Sequence, residues 1–164
     1  MFQRILFAID DTEASELGLS YATGLAQEHG ASIHVVHINQ FIVGGRGHTY
    51  LSPREASALV DRAVGQLRSS GIEATGTSRP ATAFNLETGI VDIANSWQAD
   101  VIVVGSRRHR FNRLFGHGVR ERVTRLSGLP VLTAPSPLKV ISHHRIRRPN
   151  GDVHAGQFPS SIAS

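Results

Sequence analysis

A chain of 164 residues, 40% hydrophobic and 18% charged, is long enough for one domain with a buried core and too apolar for a disordered polypeptide. It has no cysteine, which excludes disulfides, thiol nucleophiles and cysteine-ligated zinc, and its formal charge is +4. No stretch approaches the roughly 20 apolar residues of a membrane span, and the run before Asp10 is too short for a signal peptide, so a cytoplasmic protein without a membrane span is expected.

Ile5 to Ile9 is apolar throughout, as a strand buried on both faces should be. Asp10-Asp11-Thr12 ends it, with Thr12 a candidate N-cap and Glu13 and Glu16 placing negative charge near the start of a helix. Ala14, Leu17, Tyr21 or Ala22, and Leu25 form the expected core-facing stripe of that helix, and Gly30 stops it. Ser32 to Ile38 reads as a second strand and Phe41 to Tyr50, with Gly44, Gly45 and Gly47, as a loop. Ser52-Pro53-Arg54-Glu55 is a capping box with proline at the first helical position, opening a helix whose apolar face runs from Ala56 to Leu67.

Ile72 to Thr77 is a strand expected nearer an edge, Gly89 to Trp97 a helix, and Val101 to Val104 a central strand. Val119 to Leu126 is a helix and Pro130 to Ala134 a short last strand. Strand, helix and strand alternate at lengths suited to right-handed crossovers, which predicts an α/β fold with an open, doubly wound, mostly parallel sheet. Residues 136–164 lack a hydrophobic period and read as a basic, flexible tail after a domain at 1–135.

Open parallel sheets bind ligands beyond the carboxyl ends of their central strands. Asp10, Asp11 and Thr12 follow the first strand; Gly105, Ser106, Arg107 and Arg108 follow the fourth. Asp10 either accepts hydrogen bonds from a ligand or, with Thr12, only organises the turn. Seven arginines lie between Arg107 and Arg125 and four further cations between Lys139 and Arg148. That field suits phosphates, nucleic acid or an acidic protein, and the charge alone does not choose among them. Gly116-His117-Gly118 precedes a helix whose first amides, from Val119, could cradle an anion.

His34 and His37 are three apart on a strand and point to opposite faces, and no histidine set has ligand spacing, so no structural metal is expected. There is no P-loop, no GxGxxG turn and no serine nucleophile motif.

The order of these pieces resembles the universal stress protein family over roughly residues 2 to 135. Phe2 to Ser15 is similar to the family's opening strand, acidic residue and Ser/Thr-containing turn. Ala99 to Arg107 is similar to its fourth strand and the start of its phosphate loop, and Leu129 to Leu132 to its last strand. The resemblance implies a Rossmann-like five-stranded sheet ordered 3-2-1-4-5, a homodimer, and in one branch of the family ATP bound near Asp10 and Ile38.

That branch has a loop Gly-x-x-Gly-x9-Gly-Ser/Thr. Gly105 matches the first glycine, Arg108 stands at the second, and Gly118 at the third is followed by Val119 instead of Ser/Thr. A one-residue slip instead makes Gly116-His117 or His117-Gly118 the counterpart. The resemblance therefore implies a non-catalytic stress-response adaptor binding ATP or a related adenine nucleotide. The altered loop favours a nucleotide-independent dimeric protein-interaction module, and slow ATP hydrolysis is the third reading. The basic tail adds an expected weak, non-specific contact with nucleic acid.

Overall fold

A computed structural model describes residues 1–42, 48–49, 51–82, 85–105 and 119–135. In chain order the elements are β1 Arg4–Ile9, α1 Glu13–His29, β2 Ser32–Ile42, β3 His48–Thr49, α2 Pro53–Ser69, β4 Ala74–Thr82, α3 Leu86–Trp97, β5 Val101–Val104, α4 Val119–Ser127 and β6 Val131–Thr133. Five strands are parallel and lie in the order β4-β2-β1-β5-β6; the two-residue β3 pairs antiparallel with the end of β2. Numbering only the parallel strands, the order is 3-2-1-4-5.

The sheet has a core on each face. Ile5, Phe7 and Ile9 of β1 join Ile33 and Val35 of β2 against Ala22 and Ala26 of α1 and Val60, Val64 and Leu67 of α2. Leu6 of β1 joins Val36, Ile38 and Ile102 against Ile90 and Ala94 of α3 and Val123 of α4. Side chains alternate across a strand, so an unbroken apolar run serves both cores, and each fully buried Ile, Leu, Phe or Val stabilises the fold by about 1.5–3 kcal/mol. Crossovers before and after β4 therefore run on opposite faces, which is what makes the sheet doubly wound.

Four local expectations are corrected. The segment expected as a loop from Phe41 to Tyr50 begins inside β2, which continues to Ile42, and includes β3; residues 43–47 and 50 lie outside the described residues. The strand expected to end at Thr77 runs to Thr82 through Pro80, because β4 is an edge strand, where a proline removes no ladder bond from the open side. The helix expected from Gly89 starts at Leu86. In the stripe of α1, Ala22 is buried and Tyr21 and Leu25 pack against the core as expected, but Leu17 is 39% exposed and Gly18 is buried in its place. Close approach is the reason: a Cβ on Gly18 would lie 3.0 Å from the Phe7 ring and 3.4 Å from Gly105 Cα.

The capping box is as expected. Ser52 accepts from the Glu55 amide at 3.3 Å, and Glu55 accepts from the Ser52 amide at 2.8 Å.

Candidate functional site

β1 and β5 are neighbouring parallel strands, and the chain leaves them toward opposite faces, to α1 from β1 and to α4 from β5. Their carboxyl ends define the switch point where a doubly wound sheet opens a crevice. Asp10 stands at the end of β1. Its Oδ1 accepts from the Thr12 amide at 3.2 Å, from the Thr12 hydroxyl, and from the Ser15 hydroxyl at 2.7 Å. Ser15 Oγ in turn accepts from the Asp10 amide at 2.8 Å. Thr12 has the extended backbone of an N-cap, yet its hydroxyl donates to Asp10 and makes no bond to a helix amide, which corrects its expected capping role. The turn thus engages one carboxylate oxygen of Asp10 and orients the other, Oδ2, which bonds to none of these groups. Asp11 beside it is exposed.

On the other side of the switch point, Gly105 follows β5 at the Gly18 contact, and the Ala134 amide bonds to the Val104 carbonyl at 3.0 Å, tying the ends of β5 and β6 together. Val119, half-buried, begins α4. Gly105 and Val119 are the described ends of the expected phosphate loop; Ser106, Arg107, Arg108, Gly116, His117 and Gly118 lie outside the described residues. The start of α4 is pinned to the start of α3 by an ion pair between Arg122 and the buried Glu87.

Ile38 lies on β2 one residue past the last pair between β1 and β2, Ile9 with His37. Its side chain is 6% exposed and packs beneath α3, where a Cβ on Gly89 would be 3.3 Å from Ile38 Cδ1. With its side chain buried there, Ile38 has little beyond its main chain to offer the ligand contact expected of it. His34 and His37 do face opposite sides of the sheet. His34 Nδ1 bonds to the Thr75 hydroxyl at 2.7 Å and its ring lies against Trp97, and burial lowers its pKa. His37 is buried, and its Nδ1–H donates to the Ile9 carbonyl at 3.0 Å.

Among the described residues no group of three His, Asp or Glu side chains could hold a metal, and no helix is long and apolar enough to cross a membrane. The shallow groove lined by Arg4, Glu73, Thr75 and Trp97 is at the amino ends of the strands, opposite Asp10.

Four features were not read from the sequence: the Ser15 bond to Asp10, the Gly18 contact, the Glu87–Arg122 pair, and Asn39, whose buried side chain binds Leu51. Asn39 alone carried a signal, as a polar residue on the apolar face of Ile33 and Val35.

Comparison with known proteins agrees with this architecture. The model of the universal stress protein family matches residues 1–135. A universal stress protein family structure from Burkholderia pseudomallei is 20% identical, with a TM-score of 0.64 over 82% of this chain and 96% of that one. A universal stress protein from Archaeoglobus fulgidus, solved in complex with dAMP, is 26% identical, with a TM-score of 0.59 over 81% of this chain and 98% of that one. The sensor protein KdpD of Mycobacterium tuberculosis is 27% identical over 127 residues, which are 77% of this chain and 13% of that much longer protein. With its opening turn, its switch point and the family match over residues 1–135, the chain belongs to the universal stress protein family.

Proposed function

We propose that this chain is a non-catalytic, cytoplasmic adaptor that works as a homodimer and responds to ATP or a related adenine nucleotide bound at the switch point. The observation that carries this reading is the half-engaged carboxylate of Asp10. A turn that needs only one carboxylate oxygen leaves the second to accept from a ribose hydroxyl or an amine. The Archaeoglobus fulgidus relative in complex with dAMP supports an adenine nucleotide as the ligand. In this reading Asp11 and Thr12 complete the turn, the Ile38 main chain lies beside the base, and Gly105, Ser106, Arg107, Arg108 and the amides from Gly116 to Val119 serve the phosphates. A protein partner senses occupancy, and the basic tail at 136–164 contributes weak, non-specific attraction to nucleic acid.

The test is a titration of nucleotide-stripped protein with ATP, ADP and AMP, repeated on Asp10→Asn. Asparagine keeps an oxygen to accept from Thr12 and Ser15 but presents an amide donor where Oδ2 was. A charge-assisted bond contributes about 1.5–3 kcal/mol, so the affinity should fall roughly 10- to 100-fold with the melting temperature preserved. No saturable binding to the wild type at millimolar nucleotide would remove the nucleotide from the function.

Arg108 and Val119, standing where the ATP-binding branch has glycine and Ser/Thr, favour a second reading, a nucleotide-independent dimeric interaction module. It requires a dimer whose mass and partner binding ignore ATP. Slow ATP hydrolysis is the third reading; hydrolysis that survives Asp10→Ala and Arg108→Ala would place it elsewhere.

A further inference from the structure

The outer strands of the parallel sheet are β4 and β6, of nine and three residues. β4 pairs with β2 along its whole length, and the register fixes which of its main-chain groups are used. The Ile33 amide donates to the Glu73 carbonyl at 2.9 Å, so Glu73 and, within β4, Thr75, Thr77, Arg79 and Ala81 turn their amides and carbonyls toward β2. Ala74, Gly76, Ser78 and Pro80 turn theirs outward. Arg68 Nε donates to the Ala74 carbonyl at 2.9 Å, and Pro80 has no amide proton. Between these two, Gly76 and Ser78 present a donor and an acceptor each to no partner among the described residues. An unpaired edge of this kind is a template for another strand.

The pattern is complementary to itself. In an antiparallel pair of two copies about a two-fold axis through Thr77, Gly76 meets Ser78 of the second copy and exchanges both main-chain bonds with it. Ala74 meets Pro80 of the second copy: its amide finds the proline carbonyl, and its own carbonyl, which proline cannot serve, is the one Arg68 already satisfies. Sliding the copies by two residues one way sets the Gly76 carbonyl against Pro80, with no donor. Sliding them the other way brings the Ser78 amide to the Ala74 carbonyl that Arg68 occupies. The central register forms roughly six main-chain bonds and leaves none of these groups unmatched.

The side chains fit the same axis. On the α2 face the facing pairs are Gly76 with Ser78 and Ala74 with Pro80, all small. On the α3 face Thr77 meets its own copy, and the exposed Glu73 stands diagonal to Arg79, a cation that also reaches Asp92 of α3 at 3.9 Å. Threonine pairs and opposite charges are favourable cross-strand neighbours.

We propose that the open edge of β4 joins two copies of this chain, antiparallel about Thr77, into one continuous sheet. The inference rests on the homodimer in the reading above and supplies its surface; it does not depend on the nucleotide.

Sedimentation of the full chain, with circular dichroism to confirm folding, tests it. Thr77→Lys sets two like charges face to face on the axis and should weaken dimerisation by about tenfold or more. The chain has no cysteine, so Thr77→Cys adds one thiol per copy. A pair of this type holds its Cα atoms about 4.5 Å apart, within disulfide reach. Mild oxidation should therefore link the copies through residue 77, and Ser20→Cys on α1 should link far more slowly. A dimer that survives Thr77→Lys, or in which Thr77→Cys links no faster than Ser20→Cys, overturns the β4 surface and leaves the homodimer standing on another edge. A monomeric wild type overturns the homodimer, and this surface with it.

Discussion

Replacing Gly76 by alanine tests how α2 is seated on the edge of the sheet. Gly76 is in β4, and a Cβ built on it would lie 2.4 Å from Val60 Cγ1, 2.8 Å from Val64 Cγ2 and 3.3 Å from the Val35 carbonyl oxygen. Carbon atoms prefer separations of about 3.5–4.0 Å, so the nearer overlap exceeds roughly 1 Å. Both obstructing residues are valines in a helix, where one χ1 rotamer dominates, so neither swings aside cheaply and α2 must lift from β4. Overpacking by one methyl group costs about 1–3 kcal/mol, and the lower chain entropy of alanine in the unfolded state offsets about 0.4–1 kcal/mol. The net loss is about 1–2 kcal/mol, which for a domain of this size lowers Tm by about 3–10 °C. Urea denaturation followed by circular dichroism, with thermal melts, measures it. Gly65→Ala is the control: nothing lies within 4 Å of a Cβ on Gly65 in α2, so it should gain about 0.5–1 kcal/mol. In the Gly76→Ala, Val60→Ala pair the combined loss should be smaller than the sum of the single losses. A Gly76→Ala protein as stable as the wild type would refute the close seating of α2.

Ser52→Ala removes the acceptor for the Glu55 amide and should cost about 1 kcal/mol of stability. The Ser52 hydrogen bonds hold the Glu55 carboxyl below its ordinary pKa, so NMR titration of the variant should show Glu55 moving up. Arg122→Met leaves the Glu87 carboxylate buried without its cation, whereas Glu87→Gln keeps an acceptor for the guanidinium. Denaturation should therefore show a loss of about 2–3 kcal/mol for the arginine variant and about 1 kcal/mol for the glutamine variant. Burial holds the His34 imidazole below its ordinary value of about 6.5, so the unfolded chain takes up this proton first as pH falls. The His34 contribution is complete above about pH 6.5 and is lost as pH drops from there toward the folded value. Stability against pH, measured between about pH 7.5 and 5, should be flatter for His34→Gln; equal slopes would show that His34 does not supply this dependence.

Much of the candidate site was legible because it sits where local signals end. The apolar run to Ile9 breaks at Asp10, and the run to Val104 breaks at Gly105, so the two strand ends could be found without knowing how the strands pair. Burial of the Ile38 side chain beneath Gly89 was not legible, since it depends on α3, a distant segment. Leu17 misled for a related reason. Its hydrophobicity marked it for the core, but the helix turns Gly18 inward instead, where a Cβ would lie 3.0 Å from the Phe7 ring.

Sequence alone determined the alternation of strand and helix, the double-faced burial of β1, the capping box of α2 and the acidic turn after the first strand. These depend on periodicity, propensity and capping among residues near one another in the chain. Tertiary structure decided that one oxygen of Asp10 is engaged by Thr12 and Ser15, that β3 lies on the β1 edge of β2, and that Asn39 holds Leu51. A carboxylate can satisfy a turn with either oxygen, and a returning strand can pair with either free edge. Only the pairing of β4 with β2 as far as Phe41, and of β1 with β2 as far as His37, leaves β3 the β1 edge.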